Sequence, residues 1–366
     1  MIPFRKTQLT EAPSVGAAPV LQWLQFINIK QLLVGSLLWC VLAALIMFGV
    51  LNVNAISQYA SISLRYETPF SGQTAYQARQ YSIEHSEDKA FWLTFWHETK
   101  LLFESEFNSV SAACILFSGD AALVWPAKYL DGTAPGVTDG SGCSVSSALA
   151  WALWGSSDVV GKTVDIGDET RFVRGVFESE DELALLSVRD EVRSQSFSAV
   201  ELSGGPADPT RSDVISFARS SGLGAPDSVL MGTPASFAAA LAALPLVILA
   251  IYGLALCIAR LKTRPAALRL SLLFTLLVVA VSLPGLLDML PGWMIPSRWS
   301  DFSFWGSLKN QIGDNFKEYL LLAPRLRDVA YKVLLLKQAG IAFLATGCAM
   351  AICFRWHGRR SKQHIM

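Results

Sequence analysis

The sequence predicts an α-helical membrane protein: four transmembrane helices, with an α+β extracytoplasmic domain between the first and the second. Three observations predict it: long apolar stretches with almost no charge, Lys and Arg gathered at alternate ends of them, and about 180 residues of ordinary globular patterning after the first stretch. Hydrophobic residues make up 52% of the 366 and charged ones only 16%, against about 25% charged in soluble domains. Mean hydropathy is +0.38.

A helix needs about 20 mostly apolar residues to cross the hydrocarbon core. Residues 32–51 supply a first uncharged run, and 237–259 a second that contains Pro245. A third runs over 270–287 with Pro284 near its end, and a fourth over 333–354 with Lys337 snorkelling to the interface. Proline is tolerated in such helices because neighbours re-satisfy the freed carbonyl. The first run is longer than a signal-peptide core and follows about 30 residues, so it reads as an uncleaved anchor, although Val53-Asn54-Ala55 loosely fits a cleavage site.

Lys and Arg accumulate on the cytoplasmic side. Segment 1–31 has Arg5, Lys6 and Lys30 against Glu11; loop 260–269 has Arg260, Lys262, Arg264 and Arg269; tail 355–366 has Arg355, Arg359, Arg360 and Lys362. Between the first two runs stand 24 acids and 12 bases. Both termini are therefore expected in the cytoplasm, with 53–234 and loop 288–332 outside. That arrangement implies a multi-pass membrane protein with the lipid bilayer as the first partner. Nucleic acid is excluded as a partner, because 30 basic residues balance 30 acidic ones with no long basic run.

Within 53–234, Ala112–Phe117 and Ala122–Trp125 read as short buried strands around Ser118-Gly119-Asp120. Cys143 to Trp154 reads as a helix capped by Ser144 or Ser146 and ended by Gly155. Thr163–Ile166 and Arg171–Phe177 alternate as a hairpin about Gly167-Asp168; Ser196–Leu202 is a further strand, and Asp208-Pro209 opens a helix to Ser220. Residues 91–103, with Phe91, Trp92, Phe95, Trp96 and His97, read as a core or membrane-facing helix in preference to a ligand-binding aromatic face.

Gly155-Ser-Ser-Asp-Val-Val-Gly-Lys-Thr163 imitates a phosphate-binding loop, yet it holds five residues between its glycines where the motif needs four. A helix precedes it and a strand follows, the reverse of what the motif requires, so it reads as a turn. His85 and His97, with Glu84, Glu87, Asp88 and Glu98, match no ligand spacing and read as surface charge. No catalytic constellation, cofactor or metal is therefore expected. Cys114 and Cys143 are the only cysteines of the outer domain; outside the cytoplasm a disulfide between them is permitted, and two buried thiols are the other reading. Trp293, Trp299, Phe302 and Trp305 crowd the outer loop and read as an interfacial belt.

Three segments occur in a telling order: Ser146-Ser-Ala-Leu-Ala-Trp-Ala-Leu-Trp-Gly155, Val160-Gly-Lys-Thr-Val-Asp-Ile-Gly167 and Phe172-Val-Arg-Gly-Val176. Together they resemble the periplasmic core domain of MacB/FtsX-type transporter permeases, the motif residues being Gly155, Gly161, Lys162, Phe172, Gly175 and Val176. The resemblance implies a permease or mechanotransmission subunit of a bacterial plasma (inner) membrane, not itself an enzyme, working as a homodimer with a separate cytoplasmic ATPase. It also implies an Arg/Glu-rich coupling helix, whereas the corresponding loop 260–269 contains Pro265 and no acid. Leu21, Leu24 and Ile27, with Trp23 and Phe26, form an alternative interfacial helix for coupling or plain anchoring. The other functional reading is a stand-alone anchored binding or scaffold protein without an ATPase.

Overall fold

The computed structural model describes residues 29–85, 91–189, 195–206, 209–261 and 302–363 apart from 322 and 324, with isolated positions between 269 and 298. The 270–287 run, the N-terminal segment before residue 29, Trp293 and Trp299 fall outside, or almost wholly outside, the described residues.

A helix, α1 (Ile29–Ser57), leads into the outer domain. There follow β1 (Ile62–Ser71), α2 (Gly72–Glu84), β2 (Phe91–Glu104), β3 (Ser109–Ser118) and the single turn α3 (Ala121–Val124). Next come β4 (Tyr129–Gly132), β5 (Gly142–Ser146), α4 (Ser147–Trp154), β6 (Thr163–Ile166) and β7 (Glu169–Phe177). β8 (Leu183–Ser187), β9 (Ser196–Gly204), α5 (Arg211–Ser220) and β10 (Ser228–Leu230) complete the domain. Three long helices follow: α6 (Thr233–Leu261), α7 (Phe302–Leu321) and α8 (Leu326–Gln363).

Among the described residues three helical stretches are long and apolar enough to cross a membrane: Leu33–Ser57, Pro234–Leu256 and Leu326–Trp356. Their sides are rich in exposed Leu, Val, Ile and Phe, the reverse of a soluble surface and the form expected where lipid is the solvent. α1 and α8 pack through Leu42, Ala345, Ala349 and Ile352. In the same apolar stretch Asn52 Nδ2 donates to Gln338 Oε1 at 3.1 Å and to the Leu334 carbonyl at 3.0 Å, a polar tie between two helices that otherwise meet through hydrocarbon.

The ten strands form one mixed sheet in the order β10-β1-β9-β2-β3-β8-β5-β7-β4, with β6 bridging β2 and β7. That bridge closes β2, β3, β8, β5, β7 and β6 into a ring. Inside it lie Phe103, Cys114, Cys143, Val145, Val164, Val173 and Val176, with α4 contributing Leu149 and Leu153. The open part, β10-β1-β9-β2, is covered on one face by α2 and α5 through Ala75, Ala78, Val214 and Ala218. Its other face carries Trp96 and Ala199, continuous with Ile115 and Phe117 of the adjoining β3, and Leu326 of α8 packs against this cluster.

Several local expectations are corrected. Residues 91–104 form a strand, not a helix; Leu93–Trp96 are buried on both faces of the sheet, so the alternation that marks a half-buried strand is lost there. Ala122–Trp125 is not a strand: Asp120 accepts a hydrogen bond from the Ala122 amide and starts a helical turn. The helix expected over 143–154 divides at Ser146, whose hydroxyl accepts from the Leu149 amide at 3.0 Å, with the buried strand β5 before it. α5 starts at Arg211, where Thr210 and Asp213 form a capping box. The outer loop 288–332 contains the 20-residue helix α7, and α8 begins at Leu326, well before the expected residue 333.

Candidate functional site

Where α8 enters the outer domain, six charged side chains meet on the sheet. Arg65 comes from β1, Glu98 from β2, Glu201 from β9, Arg325 from the residue just before α8, and Arg327 and Asp328 from its first turn. Signs balance at three and three. Arg65 and Arg327 are 2% exposed, Asp328 1% and Glu201 0%, so water does not screen them.

Register explains the convergence. Ser63 faces Glu201 and Arg65 faces Ala199 across β1 and β9, while Thr94 faces Glu201 and Trp96 faces Ala199 across β9 and β2. Cross-strand partners share a face, so Ser63, Arg65, Glu201 and Trp96 all point to the side that α8 covers. Glu201 Oε1 accepts from Ser63 Oγ at 2.6 Å and Trp96 Nε1 at 3.0 Å, and Oε2 from Ser61 Oγ at 2.5 Å. Arg65 Nη1 stands 3.5 Å and Arg327 Nη2 3.4 Å from the same carboxylate. Asp328 Oδ1 accepts from Arg65 Nη2 at 2.8 Å.

α8 is held to the sheet by its own backbone as well. Glu98 Oε2 accepts from the Leu326 amide at 2.9 Å, so a strand residue satisfies one of the orphan amides at the helix start. Glu98 and Asp328 both place negative charge at the positive end of the helix dipole. Arg327 donates to the carbonyls of Leu123 (Nε 3.2 Å, Nη2 3.1 Å) and Tyr59 (3.2 Å) and to Ser61 Oγ (2.8 Å). Arg325 donates to the carbonyls of Ser198 and Tyr66 and to Ser198 Oγ at 3.1 Å. The Arg65 and Arg325 guanidinium groups lie 4.5 and 5.4 Å from the Trp96 ring centre.

Burial and the neighbouring Arg65 lower the Arg325 pKa; arginine nevertheless stays charged. His97, whose Nδ1 is 2.9 Å from Ser198 Oγ, has its pKa lowered by burial and by Arg325. Beside the cluster a collar of Tyr59, Tyr319 and Tyr331 forms, with ring centres 5.5 Å apart in both pairs through Tyr331. Burial raises the Tyr59 pKa, partly offset by Arg327. These groups offer no nucleophile poised against a base. The arrangement does something mechanical: it joins a helix long enough to cross a membrane to three strands of the outer sheet at once.

None of these six residues was singled out from sequence except Glu98, as a surface charge. A signal was present. Leu64-Arg65-Tyr66 and Val200-Glu201-Leu202 each place a charge inside an apolar strand, and Pro324 with Asp328 marks a helix start. What no pattern shows is that these segments, 263 residues apart for Arg65 and Asp328, meet.

The motif residues lie elsewhere, around the closed ring. Gly155 ends α4 with φ +65°, a left-handed position suited to glycine. The Gly161 amide donates to the Val173 carbonyl at 2.8 Å and the Val173 amide to the Lys162 carbonyl at 2.9 Å, which fastens that turn to β7. Gly175 passes so close to Thr133 that a Cβ would sit within 2.8 Å of its amide nitrogen. Val176 is fully buried, whereas Phe172 is exposed. Cys114 and Cys143 are free and buried. They lie on β3 and β5 with β8 between them, about two strand spacings or 9–10 Å, beyond the reach of a disulfide. Phe302 and Trp305 are exposed at the start of α7. His85 lies at the end of α2 against the Tyr81 carbonyl.

No protein-family model and no curated protein matches the chain. Among solved structures, it is similar to the extracellular domain of the noncanonic ABC-type transporter YknZ from Gram-positive bacteria, at 15% identity and a TM-score of 0.34, over 43% of this chain and 90% of that one. It is also similar to the periplasmic region of MacB from Actinobacillus actinomycetemcomitans, at 11% identity and a TM-score of 0.39, over 48% and 89%. A domain of a putative permease protein from Porphyromonas gingivalis aligns at 14% identity and a TM-score of 0.33, over 44% and 83%.

Proposed function

We propose that this protein is a MacB/FtsX-like permease or mechanotransmission subunit of a membrane transport or envelope-maintenance assembly, driven by a separate cytoplasmic ATPase. One observation carries the proposal: the first turn of α8 is bonded into β1, β2 and β9 by the buried charge cluster. A shift or tilt of α8 in the bilayer must then either move the sheet or break charges out of a dry site, which costs several kcal/mol. Displacement generated at the cytoplasmic end of the helix therefore reaches the outer domain as a rigid-body movement. The order of the motif segments from Ser146 to Val176 supports the same reading.

The test is solubilisation in mild detergent. An ATPase subunit is expected to accompany the protein, and ATP to change hydrogen exchange along β1 and β9. If no ATPase accompanies it, and added ATPase with ATP leaves that exchange unchanged, the proposal fails. The second reading, an anchored binding protein without an ATPase, is favoured by a cleft beside α3.

A further inference from the structure

The cleft has a volume of about 440 Å³ and lies between α2, the start of β2 and α3, within the size range of ligand sites. At its rim Trp92 is 72% exposed, with Ile83 and Val137 also largely in solvent. An exposed apolar cluster of this kind around a concavity marks an interaction site. Two charged residues line it. Arg79 keeps its charge but is turned inward: it donates to the Ser118 carbonyl and hydroxyl and lies over the Phe95 ring. Asp120 is exposed, uses one oxygen to cap α3, and is the acid among the described residues of the lining.

We infer that this cleft binds a cationic peptide segment with apolar side chains. Two features select a cation. The exposed indole of Trp92 offers its negative face to an ammonium or guanidinium group, and Asp120 offers a carboxylate. Long-range charge agrees, since 24 acids against 12 bases between the first two apolar runs attract basic partners and repel acidic ones. Ile83, Val137 and Leu123 would take the apolar side chains. The inference holds with or without an ATPase, and it adds a connection: the carbonyl of Leu123, a wall of the cleft, is gripped by Arg327 of α8. A wall of the cleft and the start of α8 thereby share a direct contact.

The test uses the full chain in nanodiscs of zwitterionic phosphatidylcholine, titrated calorimetrically with an alternating Lys-Leu hexapeptide and with its Glu-Leu counterpart, empty nanodiscs serving as blanks. The Lys-Leu peptide is expected to bind and the Glu-Leu peptide not to. Trp92→Ala removes an exposed side chain and should weaken binding about tenfold. Asp120→Asn keeps the cap of α3 and should weaken binding about threefold, with Glu180→Gln on a distant exposed site having no effect. Absence of Lys-Leu binding, equal binding to the Trp92→Ala protein, or equal losses for Asp120→Asn and Glu180→Gln would overturn the inference. Quenching of Trp92 by spin-labelled lipid, read as the difference from Trp92→Phe, would assign the patch to the bilayer and overturn it too.

Discussion

Replacing Asp328 by Leu leaves Arg65 in a dry site without the carboxylate that holds it at 2.8 Å. At that separation and an effective dielectric near 20, the direct attraction is about 6 kcal/mol. Desolvation of both partners cancels much of it, but removing only one partner strands the other, and such truncations cost about 3–5 kcal/mol. The loss should appear where the pair sits. Hydrogen exchange in the full chain should accelerate about a hundredfold or more at Ser63–Arg65 and in the first turns of α8, since about 1.4 kcal/mol corresponds to a factor of ten. Arg65→Met alone should act similarly, because it strands Asp328 and weakens Glu201. The double variant Arg65→Met with Asp328→Leu should recover most of the protection, as buried pairs exchanged for apolar ones often do. A change below about threefold in the single variants, or losses that simply add in the double variant, would refute the view that this pair couples α8 to the sheet.

Three more outcomes are expected. Cys114 and Cys143 should be recovered as free thiols without reductant and resist alkylation at pH 8 until the domain unfolds, because burial raises both pKa values, that of Cys143 to about 12; unreduced peptide mass spectrometry and timed alkylation check this. Burial and Arg325 depress the His97 pKa below its ordinary 6.5, so the unfolded chain takes up the proton first: the contribution of His97 to stability is complete above pH 6.5 and declines as pH falls through that value toward the depressed one. Thermal unfolding at pH 7.5 and 5.5 should show that decline, and His97→Gln should remove it. Gly175→Ala drives a Cβ against the Thr133 backbone and should cost more than Gly155→Ala, which meets open space and strains only a left-handed position by about 1–2 kcal/mol; denaturation of the two variants in parallel ranks them.

Much of the local structure was legible before any tertiary contact was known. The β6–β7 hairpin about Gly167-Asp168 and the Gly155 stop follow from alternation and from the conformational freedom of glycine. Reading failed where burial on both sides erased the period. Leu93–Trp96 of β2 and all of β5 are buried on both faces, so their residues fit a helix as well as a strand. The aromatic segment after residue 300 looked like a loop because Gly306, Gly313 and several charges interrupt its apolar face, yet as α7 it packs Phe316 on Phe237 of α6 and Tyr319 on Tyr331 of α8.

By itself the sequence determined the solvent of each segment. Runs such as 32–51 and 237–259 carry too few charges to favour water, and the 24 acids and 12 bases between them are too polar for lipid. Only the tertiary structure decided that the start of α8 belongs to the outer domain. Arg325, Arg327 and Asp328 read as ordinary flanking charges of an apolar helix, and they become a buried junction only because β1, β2 and β9 bring Arg65, Glu98 and Glu201 opposite them. A lone buried charge is unfavourable, so each half of that junction is intelligible only in the presence of the other, and the two are far apart along the chain.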